Sequence, residues 1–254
     1  MIHRFHLLPA VLLAIPVAAA FDDIARRLGD RIRAGAIAVT SIAVVGFAAI
    51  AGLGLPRILA VHSAAMEDGV RNTLEVLPPN AIAVAGSDDQ CFVAPYLQLV
   101  EGVRPDITFV CWSEVSRDWY RERLAVSIPP QDGSQMTVAL AEALLATGRP
   151  LFVDGGQLVV MAGLPNHPYG VLVRILPRDA KVPSVREVIA LNRELYARFD
   201  LDEPHPSQAD DIAAVAYRRY AAVWRMLAAA ADSVGMQDEG AFAHQMAAEL
   251  APTP

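Results

Sequence analysis

Apolar and polar positions follow three different rhythms along the chain. Residues 34–56, AGAIAVTSIAVVGFAAIAGLGLP, contain no charged side chain. A run of that length suits a bilayer-crossing helix, which needs about 20 apolar residues, whereas a helix on a soluble core keeps one polar face. Phe5 to Phe21 is also apolar, broken by His6, Pro9 and Pro16. The pattern predicts two N-terminal transmembrane helices, at about 5–21 and 34–56, making residues 1–60 a membrane segment. Between them DDIARRLGDRIR carries Arg26, Arg27, Arg31 and Arg33, against Arg4 before the first run and Arg57 after the second. Arg-rich loops stay cytoplasmic, so both ends of this segment are expected outside. A cleaved signal peptide at the first run would give the reverse orientation, which the charge count opposes. Small residues four apart, Ala34 with Ala38 and Ala48 with Gly52, would let a neighbouring helix approach. Membrane lipid and further transmembrane helices, or an upstream membrane subunit, are the partners this implies.

From about residue 66 the rhythm changes to short apolar runs alternating with amphipathic ones. Residues 80–86, 106–112 and 150–156 read as strands, with 170–176 as a fourth, separated by helices at about 90–101, 116–124 and 136–147. Strands spaced by helices imply parallel pairing through right-handed crossovers. The fold class is therefore α/β, with a small parallel-sheet three-layer domain over 66–178. Residues 183–254 read as a helical tail. Ser184 to Glu187, SVRE, is a capping-box sequence before one helix, and Ser207 to Asp210, SQAD, opens a long helix to Ala231. A last helix at about 239–250 makes a tetratricopeptide-like hairpin with it, although no second copy of the repeat is present. Ala213, Tyr217, Tyr220, Trp224 and Leu227 fall on one helical stripe.

Ligands of open parallel sheets bind beyond the C-terminal strand ends. The loops there hold Asp88, Asp89, Glu114, Asp118 and Asp154, with Trp112, Trp119 and Tyr120 close in sequence. Carboxylates beside aromatic rings suit a sugar or a divalent cation, and Asp88, Asp89, Glu114, Trp119, Tyr120 and Asp154 are the candidate ligand-binding residues. The same Ser and Asp residues also suit helix caps and turns. No phosphate-binding loop, nucleophile elbow or zinc motif is present, and His167 is a lone loop histidine. Composition adds two limits. A hydrophobic share of 54% with mean hydropathy +0.33 exceeds the usual share of a soluble chain, and a net charge of -7 excludes nucleic acid as a partner. Cys91 and Cys111 suit either one disulfide or two buried thiols.

RFHLLP, LPPNAIAVAGSDDQCFVAPYLQLVEGVRPDITFV, DWYRERL, LLATGRPLFV and NRELYARFDL occur in that order. Together they resemble the C-terminal third of an uncharacterised family of multi-spanning bacterial membrane proteins related to the protein O-mannosyltransferases of the GT-C superfamily. Gly86, Asp88, Tyr96, Gln98, Glu101, Gly102, Arg104, Asp106, Trp119 and Tyr120 carry the pattern. The resemblance implies the C-terminal portion of a GT-C-like glycosyltransferase of the bacterial inner membrane, with a periplasmic α/β domain that binds acceptor or shapes the site. A polyprenyl-linked sugar and a glycan or protein acceptor are the substrates it implies. GT-C enzymes keep their catalytic acid in a loop near the N-terminus, so the resemblance assigns no catalytic residue to this chain. The alternative is a non-enzymatic, membrane-tethered periplasmic binding or assembly module.

Overall fold

A computed structural model describes residues 64–130, 136–155, 163–202 and 212–251, with short stretches between 19 and 54. The chain divides into two units, Met1–His62 and Ser63–Pro254. In the first unit residues 44–50 and 52–54 are helical, with Val44, Val45, Phe47, Ile50 and Leu53 exposed. Within the Arg-rich segment, Arg26 pairs with Asp22 at 2.6 Å and Arg27 with Asp23 at 2.9 Å, each one helical turn apart.

Among the described residues no helix is long and apolar enough to cross a membrane. This corrects the predicted fold class, which included two N-terminal transmembrane helices. A span needs about 20 consecutive apolar residues, and the described residues hold no helix of that length that is also apolar enough. Nearly all of the span at 5–21, and the span at 34–56 apart from 41, 44–50 and 52–54, lie outside the described residues.

The second unit opens with α1 (Ala65–Val76), an amphipathic helix absent from the sequence prediction. The strands β1 (Ile82–Ala85), β2 (Thr108–Cys111) and β3 (Leu151–Val153) are parallel, Ile82 pairing with Thr108 on one side and Leu151 on the other. Every residue of the three is buried, as strands covered on both faces require. A hairpin of β4 (Asn166–Tyr169) and β5 (Leu172–Ile175) completes the sheet, β5 lying antiparallel to β3, in the order β2-β1-β3-β5-β4. The sheet is thus mixed where an all-parallel one was expected. Tyr169 pairs directly with Leu172, leaving only Gly170 and Val171 for the turn, and two residues make a hairpin but never a crossover. Gly170 takes φ +60° there, where a Cβ would meet the Phe199 ring at 3.3 Å.

Between the strands lie α2 (Asp88–Leu99), the short α3 (Asp118–Arg121) and α4 (Val138–Leu145). Alternate strand residues face opposite ways. Ala83, Ala85, Phe109 and Phe152 meet Val70, Leu74, Ala94 and Leu97 of α1 and α2. Ile82, Val84, Val110 and Val153 meet Met136, Leu140 and Leu144 beside α4 on the other face. Helices therefore cover both faces of the sheet.

The tail comprises α5 (Val185–Tyr196), α6 (Ile212–Ser233) and α7 (Gln237–Leu250). Ser184 and Glu187 cap α5 reciprocally, as SVRE predicts. The SQAD segment lies outside the described residues. Only Val234 to Met236 separate α6 from α7, which doubles back on it. The predicted stripe is buried throughout: Ala213, Tyr217, Tyr220, Trp224 and Leu227 are all under 9% exposed. The tail joins the sheet domain through α1: the Asn72 amide donates to Asp200 O (2.8 Å) and to the Tyr220 hydroxyl (3.0 Å), and accepts from Asp200 N–H (2.8 Å).

At the opposite edge of the sheet from the strands' C-terminal ends, Arg104 ties the chain together. Its guanidinium donates to the carbonyls of Leu74 (3.0 Å), Leu77 (2.7 Å) and Pro78 (3.2 Å) and grips both Asp106 carboxylate oxygens. Gln98 donates to the carbonyls of Arg104 (3.0 Å) and Ile107 (2.8 Å), and Asp106 also accepts from Asn80 N–H (2.9 Å). Arg104 first, then the Asn80 amide, hold the Asp106 carboxyl well below the usual carboxylate range. A depressed carboxyl contributes stability that is present above its unfolded pKa of about 4 and lost as pH falls through the folded value. Melting temperature is therefore expected to drop on acidification below about pH 4, and Asp106→Asn is expected to lower it at neutral pH and flatten that acid limb. An unchanged acid limb in the variant would place the titration elsewhere.

Candidate functional site

A cleft of about 580 Å³ opens where β1 and β3 end, within the range of about 300–1,000 Å³ that small-ligand sites occupy. Gly86 and Ser87 follow β1, and Asp154 follows β3. The Asp154 carboxylate accepts from Gly86 N–H at 2.8 Å, which locks the two strand exits side by side. One wall is the β4–β5 hairpin, with Pro168 and Val171 to Val173. The other is the α6 face carrying Arg219, Ala222, Val223 and Met226, spaced i, i+3, i+4, i+7.

The polar end of the cleft sits at the start of α2. Ser87 is the N-cap residue, yet its hydroxyl donates to Gln90 Oε1 (2.7 Å) and accepts no bond from a helix amide. Asp89 receives both terminal nitrogens of Arg219, so the pair clasps α2 to α6 beside the cleft. Burial pushes the Asp89 carboxyl up, but the Arg219 hydrogen bond and charge, with help from Ser87, outweigh it and hold the carboxyl below its ordinary value. Asp89 stays ionised and matched to a cation.

Of the six candidates read from the sequence, Asp154 lines the cleft and Asp89 reaches it through Arg219. Asp88 is exposed at the first turn of α2. The other three belong to the β2 exit. Glu114 pairs with Arg117 at 2.8 Å. Trp119 is 51% exposed, with the Arg123 guanidinium 5.5 Å from its ring. The Tyr120 hydroxyl accepts from Cys111 N–H at 2.6 Å, and burial raises its pKa. None of these three lines the cleft, because β2 is the edge strand and its exit lies beyond β1 from β3. Among the described residues no group of three His, Cys, Asp or Glu side chains is arranged to hold a metal ion. His167 lies in β4, 5% exposed, its Nδ1 donating to Pro168 O at 3.0 Å. Burial first, then the nearby Arg174, push its pKa down, so it is a neutral part of the core.

Gln90, Arg219 and the hairpin wall were missed in the sequence. The signal for Arg219 was present: a second stripe on α6, set off from the aromatic one, with the same periodicity. Cys91 and Cys111 form a disulfide that joins the first turn of α2 to the end of β2, next in sequence to Gln90 and Trp112. The residues on which the resemblance rests are spread over the domain, Trp119 and Tyr120 at the β2 exit. Gly86 stands at the cleft, while Gln98, Arg104 and Asp106 build the lock at the other edge of the sheet. Comparison with protein-family models, with curated proteins and with solved structures finds no match to the chain.

Proposed function

We propose that residues 63–254 form an extracytoplasmic glycan-binding module that presents an acceptor for GT-C-like glycosyl transfer, with the cleft between the β1 and β3 exits and α6 as the acceptor site. The cleft carries the reading: it combines a polar end, with Ser87, Gln90, Asp154 and Arg219, and an aliphatic wall of Val171, Ala222, Val223 and Met226. Sugars are recognised by this combination, hydroxyls by polar groups and C–H faces by apolar ones. The Cys91–Cys111 disulfide supports an oxidising compartment. A second reading, the same module without transfer, is favoured by one observation. The ionisable groups on the cleft wall, Asp154 and Arg219, are both engaged in holding the fold.

Calorimetry of the full chain against mannobiose, cellobiose and N,N′-diacetylchitobiose tests the site. At least one disaccharide is expected to bind. Met226→Trp, which is 42% exposed and lines the wall, is expected to abolish that binding with the melting temperature unchanged. Glu114→Ala and Trp119→Ala are expected to leave affinity within twofold. Binding that survives Met226→Trp but is lost with Trp119→Ala would move the site to the β2 exit and overturn the cleft. Transfer separates the two readings: the full chain, given a polyprenyl-phosphate-linked sugar and the bound disaccharide, either extends it or does not.

A further inference from the structure

Gln90 is only 4% exposed. One end of its amide is bonded to Ser87, while the other has no hydrogen-bond partner among the described residues and lies on the cleft lining. The open end reaches the solvent of the cleft, where a ligand group that meets an amide can take the place of water.

The space next to it narrows what that group is. A crevice of about 10 Å³ adjoins the cleft, sharing Gln90, Val171 and Arg219 with it. Met66, Gly69, Val70, Thr73, Ala216 and Tyr220 make the rest of its wall. That volume accepts about one small group; the Thr73 hydroxyl is turned to Gly69 O and the Tyr220 hydroxyl is bonded by Asn72, which leaves the aliphatic side of Met66, Val70, Val171 and Ala216 for a methyl. Gly69 keeps it open: a Cβ there would stand 3.5 Å from Ala216 Cβ and 3.6 Å from the Tyr220 hydroxyl oxygen. Charge narrows the choice again. The cation at this end, Arg219, is already matched by Asp89, and Asp154 lines the same cleft, so an anionic ligand would be repelled and a neutral one accepted.

We infer that the cleft recognises an N-acetylated amino sugar, whose acetamido group bonds Gln90 and places its methyl in the crevice beside Gly69, with the ring against Val223 and Met226. The inference rests on the glycan reading of the cleft and names its substrate class. A secondary amide carries both a donor and an acceptor, so it complements the open end of Gln90 whichever way that amide is turned. Ser87 and Asp154 share the rim with the sugar hydroxyls.

The test is calorimetry of the full chain with N,N′-diacetylchitobiose and with cellobiose, which has the same linkage and ring size but hydroxyls in place of acetamido groups. The acetylated disaccharide is expected to bind at least tenfold more tightly, since a site built around a hydrogen-bonding group rejects the analogue that lacks it. Gln90→Glu is expected to lose about tenfold for the acetylated disaccharide, because it replaces the amide donor by a charge. Gly69→Ala fills the crevice at ordinary contact distances and replaces a helical glycine, so it is expected to hold or raise the melting temperature while lowering the same affinity about tenfold. If Gln90→Glu fails to fold, Gly69→Ala decides. Equal affinity for the two disaccharides, or affinity untouched by Gly69→Ala, overturns the inference and leaves the glycan reading standing. Failure of every disaccharide to bind overturns both.

Discussion

Arg104→Ala is expected to lower the melting temperature of the full chain by roughly 6–12 °C, equivalent to about 3 kcal/mol for a unit of this size. The side chain donates to the backbone carbonyls of Leu74, Leu77 and Pro78 and to both oxygens of Asp106. Removing it takes a donor from four carbonyls at the end of α1, that of Glu75 among them, and from one carboxylate. A hydrogen bond from a charged group contributes about 1.5–3 kcal/mol, and unsatisfied groups cost more than the bond was worth. Part of the loss is offset, because the Arg104 side chain is 23% exposed and water reaches some of the freed carbonyls. Backbone geometry supplies a control. Arg104 has φ +45°, a conformation that costs an ordinary residue about 1–2 kcal/mol and glycine almost nothing. Arg104→Gly is therefore expected to melt a few degrees above Arg104→Ala, and Arg104→Lys, with one point charge in place of a fork, is expected to recover less than half of the loss. If all three substitutions leave the melting temperature within 2 °C, the lock does not hold this edge of the sheet.

Breaking the Cys91–Cys111 bridge is the second large change. The bridge closes a loop of sequence separation 20, and chain entropy for such a loop gives about 3 kcal/mol. The double substitution Cys91→Ala with Cys111→Ala is expected to lower the melting temperature by roughly 6–12 °C. Alanine suits both sites, since Cys91 and Cys111 are only 9% and 4% exposed. The two variants act at opposite ends of the sheet, so their effects are expected to add, but only this one reaches the cleft. Cys91 follows Gln90 in the first turn of α2, and releasing that turn from β2 is expected to weaken disaccharide binding several-fold, where Arg104→Ala leaves it unchanged. Alkylation of the unfolded chain without reductant checks the premise: no thiol is expected to react. Free thiols at both positions would remove the bridge and, with it, the case for an oxidising compartment.

The elements of residues 80–155 were legible because their signals are local. The runs IAVA, TFVC and LFV are apolar at every position, the mark of a strand covered on both faces, and each is followed by a cap or turn sequence. The capping box at Ser184 and the stripe from Ala213 to Leu227 were legible for the same reason. The helix α1 was not. Its sequence, AMEDGVRNTLEV, is poor in apolar residues, and its apolar face becomes evident only when Val70 and Leu74 are set against the sheet and Ala65 and Val76 against the tail. The hairpin at Gly170 was read as one more parallel strand because a strand's direction is not written in its own residues. The connection decides it, and here two residues leave no crossover.

The apolar run at 34–56 shows the limit of composition from the other side. Length and hydropathy alone assigned it a membrane span, whereas among the described residues no helix is long and apolar enough to cross a membrane. The acidic loops show a related limit. Asp88, Asp89, Glu114 and Asp154 were grouped because each follows a strand, which places them on one edge of the sheet. Strand order then separated them: β3 lies beside β1, bringing Asp154 to Gly86, while β2 is on the outside and carries Glu114, Trp119 and Tyr120 away.

By itself the amino-acid sequence determined the α/β class, the three buried parallel strands, the capping box of α5 and the acidic character of the strand exits, all of which depend on residues within a few positions of one another. The tertiary structure alone decided where those exits meet, that α6 supplies the far wall of the cleft, that Arg219 neutralises Asp89 across 130 residues, and that Cys91 pairs with Cys111. Those outcomes depend on which elements become neighbours, a property of packing and connection that no short window of sequence contains.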